Sequence, residues 1–250
     1  MKKIKIAFQG EMGAYSHIAC EKLFPGSEIK ACPTFEETFK IAHDDENYKI
    51  VIPIENSLAG RVADIHYLLP KYKLQIHAEH FQKVEHNLLV KQEAELKDIK
   101  YVRSHAQAID QCQKIILNNK FKTIISADTA GSAKELSKTD DKSIAAIASK
   151  LSAKIYNLKI LMENIEDESQ NTTRFIIMSK KVSQPEHNKN KKYITTCTFR
   201  LKSITAALYK CLGGFATNQV NLTKLESFSV KNTFAQTNFY LDLQGHIEQT

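Results

Sequence analysis

Short apolar runs alternate with amphipathic stretches along the chain, and the switching of period between two and three to four residues predicts a repeating strand and helix order. Ile4 to Gln9 alternates as a strand does, and Gly10-Glu11-Met12-Gly13-Ala14-Tyr15-Ser16 leads it into a helix that Pro25-Gly26 stops near Phe24. A short strand near Ile29 precedes Thr34-Phe35-Glu36-Glu37, a capping-box pattern that opens a helix with Phe35, Phe39 and Ala42 on one face. Lys49-Ile50-Val51-Ile52-Pro53-Ile54 reads as a buried strand ending in Glu55-Asn56-Ser57-Leu58-Ala59-Gly60. A helix through Val62, Ile65, Leu68 and Leu69 then closes this unit at Pro70.

From Leu74 to Val90 the pattern stays strand-like for long enough to leave one lobe and enter another. A second series follows: a strand at Tyr101-Val102-Arg103, a helix carrying Ile109, Cys112, Ile115 and Ile116 inward, and a strand from Phe121 to Ser126. Next come a helix capped by Asp128, a small-residue strand from Ser143 to Ser149, a short helix from Lys150 to Ile155 and a strand from Leu158 to Ile165 returning toward the first lobe. Phe175-Ile176-Ile177-Met178 is a further buried strand. Two crossings between two lobes make a hinge around a cleft, the arrangement of binding proteins that close on a ligand.

After Met178 the composition changes. Ser179 to Lys192 holds Lys180, Lys181, Lys189, Lys191 and Lys192 with Pro185 and little apolar content, which reads as a solvated linker. Beyond it the pattern predicts a strand from Thr195 to Leu201, a helix from Thr205 to Thr217, and strands from Val220 to Phe228 and Phe234 to Leu243.

Composition narrows the class of protein without naming it. Hydrophobic residues are 42% and charged residues 25% of the 250, ordinary values for a soluble globular chain. No apolar run approaches a membrane span, and the basic start lacks the continuous apolar core of a signal peptide, so no membrane partner is expected. Five cysteines, odd in number and never in a C-x-x-C pair, fit a reducing cytoplasm. A net charge of +7 favours anionic ligands through a diffuse field, but with no tryptophan and no basic-aromatic stripe it does not point to nucleic acid.

Candidate chemistry gathers at the ends of strands. Asn171-Thr172-Thr173-Arg174-Phe175 packs an amide, two hydroxyls and a guanidinium before a buried strand; these donors either face a cleft or cap a turn. The glycines from Gly10 to Gly13 either aim backbone N–H groups and a helix N-terminus at an anion or simply make a tight connection. Glu55-Asn56-Ser57 is either a site at the end of a buried strand or Asx-turn chemistry. Ser104 and Gln111 are spaced two helical turns apart, so both fit one cleft. His105 between them reads as a cap or surface residue in preference to a general base. Behind Asp128 the small residues Thr129-Ala130-Gly131 allow close approach to a ligand.

Taken together, Gly10 to Ser16, Pro53 to Val62, Ser104 to Cys112, Asp128 to Ala133, Ala145 to Ser149 and Asn171 to Phe175, in that order and spacing, closely resemble prephenate dehydratase. The resemblance spans roughly residues 4 to 180, departing at Ala14 and Asp128, where the family commonly has hydroxyl residues. It implies an α/β fold: a two-lobed, periplasmic-binding-protein-like catalytic domain with a hinge. That domain would cover residues 1–180, with lobe 1 at about 1–80 and 160–180 and lobe 2 at about 81–159. The implied reaction converts prephenate to phenylpyruvate with loss of carbon dioxide and water, on the route to phenylalanine, with no metal or organic cofactor. By similarity Thr173 is the essential residue, with Glu55, Asn56, Ser104 and Gln111 around it. Gly10, Ser57, Thr129, Ala130, Thr172, Arg174 and Phe175 would bind substrate. Glu55 beside a dianion would be repelled unless protonated or paired, and orienting Asn56 or Arg174 is the role left to it.

After the linker at 181–192, the β-α-β-β order of residues 193–250 resembles the start of an ACT domain, a small α+β amino-acid-sensing module. In that resemblance Ala207, Leu208, Glu226 and Ser227 fall at the effector site for L-phenylalanine. The glycine before the Ala-Leu pair is replaced by Thr205-Ala206, the E-S-R-P element reads Glu226-Ser227-Phe228-Ser229, and the pattern ends before the module's second helix and last strand. Weak feedback by phenylalanine and a homodimer or homotetramer pairing these modules are the expectations. The rival readings are an arogenate dehydratase, acting on the same ring, and a ligand-sensing protein that uses the same hinge fold without chemistry.

Overall fold

The computed structural model describes residues 4–62, 65–182, 185–188, 190–229 and 237–248. Among these, β1 (Lys5–Gln9), α1 (Tyr15–Leu23), β2 (Glu28–Cys32), α2 (Phe35–Asp44), β3 (Tyr48–Asn56), β4 (Gly60–Arg61), α3 (Ile65–Tyr72) and β5 (Gln75–Lys83) form the first lobe. The chain then enters the second lobe with β6 (Asn87–Val90), β7 (Tyr101–Ser104), α4 (Ala106–Asp110), α5 (Gln113–Asn118), β8 (Lys122–Ile125), α6 (Thr129–Ser137), β9 (Ile144–Ala148), α7 (Lys150–Ile155) and β10 (Lys159–Met162). It returns as β11 (Thr172–Ser179), which inserts between β3 and β5, antiparallel to both, and completes a sheet of order β2-β1-β3-β11-β5 with β4 paired to β3. The second lobe's sheet has the order β10-β6-β9-β7-β8. The C-terminal module is β12 (Ile194–Arg200), α8 (Ala207–Thr217), β13 (Leu222–Ser229) and β14 (Thr237–Gln244), an antiparallel sheet of order β12-β14-β13 with one helix.

Each lobe covers both faces of its sheet, which is why the central strands read as near-continuous apolar runs. In the first lobe Ile50, Ile52, Ile54, Ile176 and Met178 pack against α2 and α3 on one face. Ile6, Phe8, Val51, Phe175 and Ile177 pack with α1 on the other. Phe228 and Tyr240 of the C-terminal module join the α2–α3 side of this core, so the module is seated on lobe 1. Thr34 caps α2 as its sequence pattern predicts, its hydroxyl accepting from Glu37 N at 3.1 Å.

Several expectations are redrawn by the structure. The strand-like run from Leu74 to Val90 is two strands in different sheets, joined where Val84, Glu85 and His86 cross. Lys159–Met162 pairs with β6 inside the second lobe, so the return crossing begins after it and not before. Pro70 does not stop α3, which runs on to Tyr72; so close to the helix end the missing N–H costs one bond. The helix expected to run through Ile109 and Ile116 is broken at Gln111-Cys112, because the returning chain inserts there: Asp167 N donates to Gln111 O at 2.7 Å, and the Asp167 carboxylate takes Lys114 N at 3.2 Å. Of the linker and last strand, Lys189 and Phe234 lie outside the described residues. No helix among the described residues is long and apolar enough to cross a membrane.

Candidate active site

The antiparallel pairing of β3 with β11 sets Asn56 opposite Thr173 where both strands meet the hinge. Asn56 Oδ1 accepts the backbone N–H groups of Leu58 and Ala59 at 3.0 and 2.9 Å, an Asx turn. Those two donors fix the amide's orientation, so Nδ2 must point the other way. It donates to Thr173 Oγ1 at 3.0 Å and to Asn171 Oδ1 at 2.7 Å. The turn reading of Asn56 is thus met by its amide oxygen, while its amide nitrogen is turned to Thr173 and Asn171.

The orientation propagates across the hinge. Asn171 Nδ2, its oxygen already taken, donates to Gln111 Oε1 at 2.7 Å, and His86 Nε2 lies 3.0 Å from the same oxygen. His86 Nδ1 is 3.0 Å from the Tyr15 hydroxyl, which also reaches Glu85 O at 2.7 Å. Burial pushes the His86 pKa below its usual value, with the Gln111 contact and Glu166 partly opposing, so the ring is held toward its neutral form. Tyr15 is pushed well above 10.0, by burial first and then by the neighbouring Cys112, Glu166 and Glu85, and stays protonated. At the end of this chain the Thr173 hydroxyl accepts from Asn56 and has no acceptor for its own proton among the described residues. The Gln111 Nε2 protons are likewise unclaimed there. Both groups keep a proton that no described residue accepts.

The remaining predicted residues fall into separate groups. Ser57 and Thr172 clasp each other: Ser57 N donates to Thr172 O at 2.9 Å, Thr172 N to Ser57 Oγ at 3.0 Å, and Ser57 Oγ to Gln170 O at 3.2 Å. Thr129 and Ala130 form the first turn of α6, where Asp128 accepts from Gly131 N at 2.6 Å. Ser104, expected beside Gln111, is instead fully buried in the second sheet and donates to Ile147 O at 2.7 Å. β7 ends at Ser104 and the helix breaks at Gln111, so the two residues do not lie two turns apart on one helix. His105 caps α4 through Gln107 N, as read from sequence. Phe175 is core, 1% exposed, packed on the α1 side of the sheet.

Arg174 and Glu55, expected in the cleft, face the opposite way. Alternation along β11 puts Arg174 on the face of the sheet that carries the C-terminal module, with Ile176 and Met178, and the irregularity at Ile54 turns Glu55 to the same face. The Arg174 guanidinium is bonded to Glu79 Oε2 at 2.8 Å and Asp242 Oδ2 at 2.6 Å, and Glu55 Oε2 lies 2.8 Å from Lys224 Nζ. Glu55 is thus paired with a lysine of the module. Glu226, expected at an effector, meets His66 Nε2 at 3.0 Å and Lys224 Nζ at 3.1 Å, while Ser227 O accepts from Arg61 at 3.1 Å. Ala207 and Leu208 open α8 behind Ala206, whose φ is 61°.

Between Gly10 and Ser16 the chain is tied to lobe 2. Gly10 itself takes φ +123° and donates to Cys32 O at 2.9 Å. The Gly13 carbonyl accepts from Ser149 Oγ at 2.6 Å and Ser152 Oγ at 3.0 Å, Met12 O accepts from Tyr156 at 2.8 Å, and Glu11 pairs with Lys134 at 2.8 Å. Gly13 is obligatory there, with φ +95° and a Cβ that would meet the Ser152 Oγ at 2.5 Å and its Cα at 2.9 Å. Sequence reasoning gave no role to Tyr15 or His86, and counted the Asn171 amide among the candidate donors without setting it among the site residues. The signal available was the polar pair His86-Asn87 inside an otherwise strand-like run, 2% and 0% exposed in the fold. Among the described residues no cluster of three or more His, Cys, Asp or Glu is placed to hold a metal.

Residues 6–183 match the prephenate dehydratase family. The chain belongs to that family. It is 42% identical over 244 residues to a Komagataeibacter europaeus protein described as a bifunctional N-acyl-homoserine lactone acylase/prephenate dehydratase, covering 97% of this chain and 86% of that one. It is 39% identical over 225 residues to arogenate dehydratase/prephenate dehydratase 1, chloroplastic, of Arabidopsis thaliana; the match covers 90% of this chain but 57% of the plant protein. The crystal structure of prephenate dehydratase from Arthrobacter aurescens in complex with L-Phe superposes with a TM-score of 0.87 at 28% identity, over 98% of this chain and 82% of that chain. Family membership thus covers the two-lobed region that holds Thr173 and Asn56.

Proposed function

We propose that this chain is a dehydratase that converts prephenate to phenylpyruvate, with Thr173 as the hydrogen-bond donor to the departing hydroxyl. The observation that carries the reading is the direction of the Asn56 to Thr173 bond. Since Asn56 donates into Oγ1, the threonine proton is released from the network and is available to a ligand at the hinge.

The reaction asks for little more than orientation and a donor. The ring carboxylate leaves as carbon dioxide, its bonding electrons enter the ring, and hydroxide departs from the opposite ring carbon. One proton is taken up, so a dianion becomes a monoanion, carbon dioxide and water. Negative charge grows on the departing oxygen in the transition state, and a donor fixed in advance stabilises it without reorganising. A threonine hydroxyl is too weak an acid to be a full proton source, so it shares its proton and solvent completes the transfer. Gln111 Nε2, across the hinge from Thr173, is the second donor we assign to the substrate.

The same bond weighs against Thr173 as a nucleophile for amide hydrolysis, the chemistry in the Komagataeibacter relative's name. A nucleophilic hydroxyl needs a base to take its proton; the Asn56 nitrogen is a donor. L-Phenylalanine is assigned a weak effect at most, since Glu226 is already engaged with His66 and Lys224. The experiment that tests the function is incubation of purified protein with prephenate and, separately, arogenate, following phenylpyruvate and phenylalanine. Phenylpyruvate formation with a clear preference for prephenate is the expected result. Preference for arogenate would move the substrate assignment, and turnover of neither would favour ligand sensing.

A further inference from the structure

On the module face of the first sheet, Glu55 and Arg174 are cross-strand partners in the β3–β11 ladder. Facing them, Lys224 and Asp242 are cross-strand partners in the β13–β14 ladder. The two pairs meet with opposite charges aligned, Glu55 to Lys224 at 2.8 Å and Arg174 to Asp242 at 2.6 Å. Asp242 is fully buried, and its second oxygen is held by Thr196 Oγ1 at 2.6 Å and Tyr240 OH at 2.9 Å. The four charges form a square, with one edge in the first sheet and the facing edge in the module; Arg174 also bonds Glu79 at 2.8 Å and Lys224 also meets Glu226 at 3.1 Å.

The square lies directly behind Asn56 and Thr173, the next residues along the same two strands. This is where the β3–β11 ladder most needs support. Its register slips between Arg174 and Phe175, leaving Ile54 without an opposite residue, and Pro53 has no N–H to give. β11 is also held by β5 on its other side, whereas the end of β3 has only the two exposed residues of β4 beyond it. A bulge of this kind sets the aim of nearby side chains. The spacing between Lys224 and Asp242 is fixed by their own ladder, so it acts as a template for the spacing between Glu55 and Arg174.

We infer that the C-terminal module is a positioning element of the active site: Lys224 and Asp242, by holding Glu55 and Arg174, set the separation of Asn56 from Thr173. The inference rests on the donor role given to Thr173 above. The module then affects turnover through contacts within one chain, whatever ligand it binds.

Steady-state kinetics on prephenate with the full chain test this, comparing wild type, Lys224→Met, Lys224→Arg, Thr173→Ala and the Lys224→Met, Thr173→Ala double variant. A displacement of order 1 Å at a reacting group costs up to about 10²-fold, so Lys224→Met should lower kcat by roughly 10-fold or more with KM changed less than about 3-fold. Lys224→Arg, which keeps the charge, should recover most of that loss. In the Thr173→Ala background the Lys224→Met loss should largely vanish, because the donor being positioned is gone. A Lys224→Met kcat within about 2-fold of wild type, beside a large loss in Thr173→Ala, would overturn the positioning role while leaving the function intact; so would full additivity in the double variant. Near-normal turnover by Thr173→Ala would instead remove the catalytic reading, and this inference with it. Asp242→Asn repeats the test from the buried corner, and because Glu55 is 41% exposed the Lys224 series stands if that variant fails to fold.

Discussion

Asn56 and Thr173 are 117 positions apart in the chain, yet the Asn56 amide nitrogen lies 3.0 Å from the Thr173 hydroxyl at the hinge between the lobes. Because the amide oxygen is held by two backbone N–H groups, the bond has one direction, and the threonine is left with a proton to give.

Removal of that proton donor is the most direct test. Loss of one donor aimed at developing negative charge costs about 10²- to 10³-fold in kcat. Thr173→Ala should show a loss of that size with little change in KM, and Thr173→Ser should keep much of the activity. Initial-rate measurements across prephenate concentrations separate the two parameters.

Asn56→Asp separates the two ends of the amide. A carboxylate still accepts from Leu58 and Ala59, so the turn should persist, but it has no proton for Thr173 or Asn171, and its charge faces Asn171 Oδ1. We expect a large fall in kcat, comparable to the ~10²-fold loss of a catalytic donor, with a native circular dichroism spectrum. Activity close to wild type would mean that the direction of this bond has no catalytic weight.

Gly13→Ala should loosen the junction of the lobes. The new Cβ meets Ser152 backbone at 2.9 Å in a conformation with φ +95°, so either the loop or α7 must move. Backbone strain of this type costs about 1–3 kcal/mol. The expected outcome is a lower melting temperature and a raised KM, while Gly26→Ala, at a positive φ with open space around it, should cost stability through strain alone and leave KM unchanged.

Stability should fall on mild acidification. The folded His86 ring holds a proton less tightly than an unfolded histidine, whose pKa is near 6.5, because it is buried. As pH drops through that value the unfolded chain gains the proton first, so the stabilisation is complete above about 6.5 and declines below it toward the lower folded pKa. Urea midpoints at about pH 7.5 and 5.5 should therefore differ, and His86→Gln should reduce the difference. His17 and His66, also lowered by burial, should keep it from vanishing. An unchanged pH response in His86→Gln would show that this ring is not a source of it.

The element order and the two-lobed organisation were legible in the sequence. Apolar period and turn chemistry are local properties, and β3, α2 and β11 formed close to where Ile50-Val51-Ile52, the Thr34 cap and Phe175-Ile176-Ile177 predicted. Asn56, Thr173 and Gln111 were identified from motif resemblance, and the fold joins them in one network. What sequence left undecided was which face each neighbour took. Thr173 and Arg174 read as a single polar motif, but alternation along β11 sends one to the hinge and the other to a buried aspartate 68 positions away. The break at Gln111, the role of His86 and the buried seat of Ser104 depended on Asp167, Glu166 and Ile147, partners from distant segments that no local pattern encodes. Local propensity thus determined what elements this chain makes, and long-range packing alone decided which of their polar groups would meet.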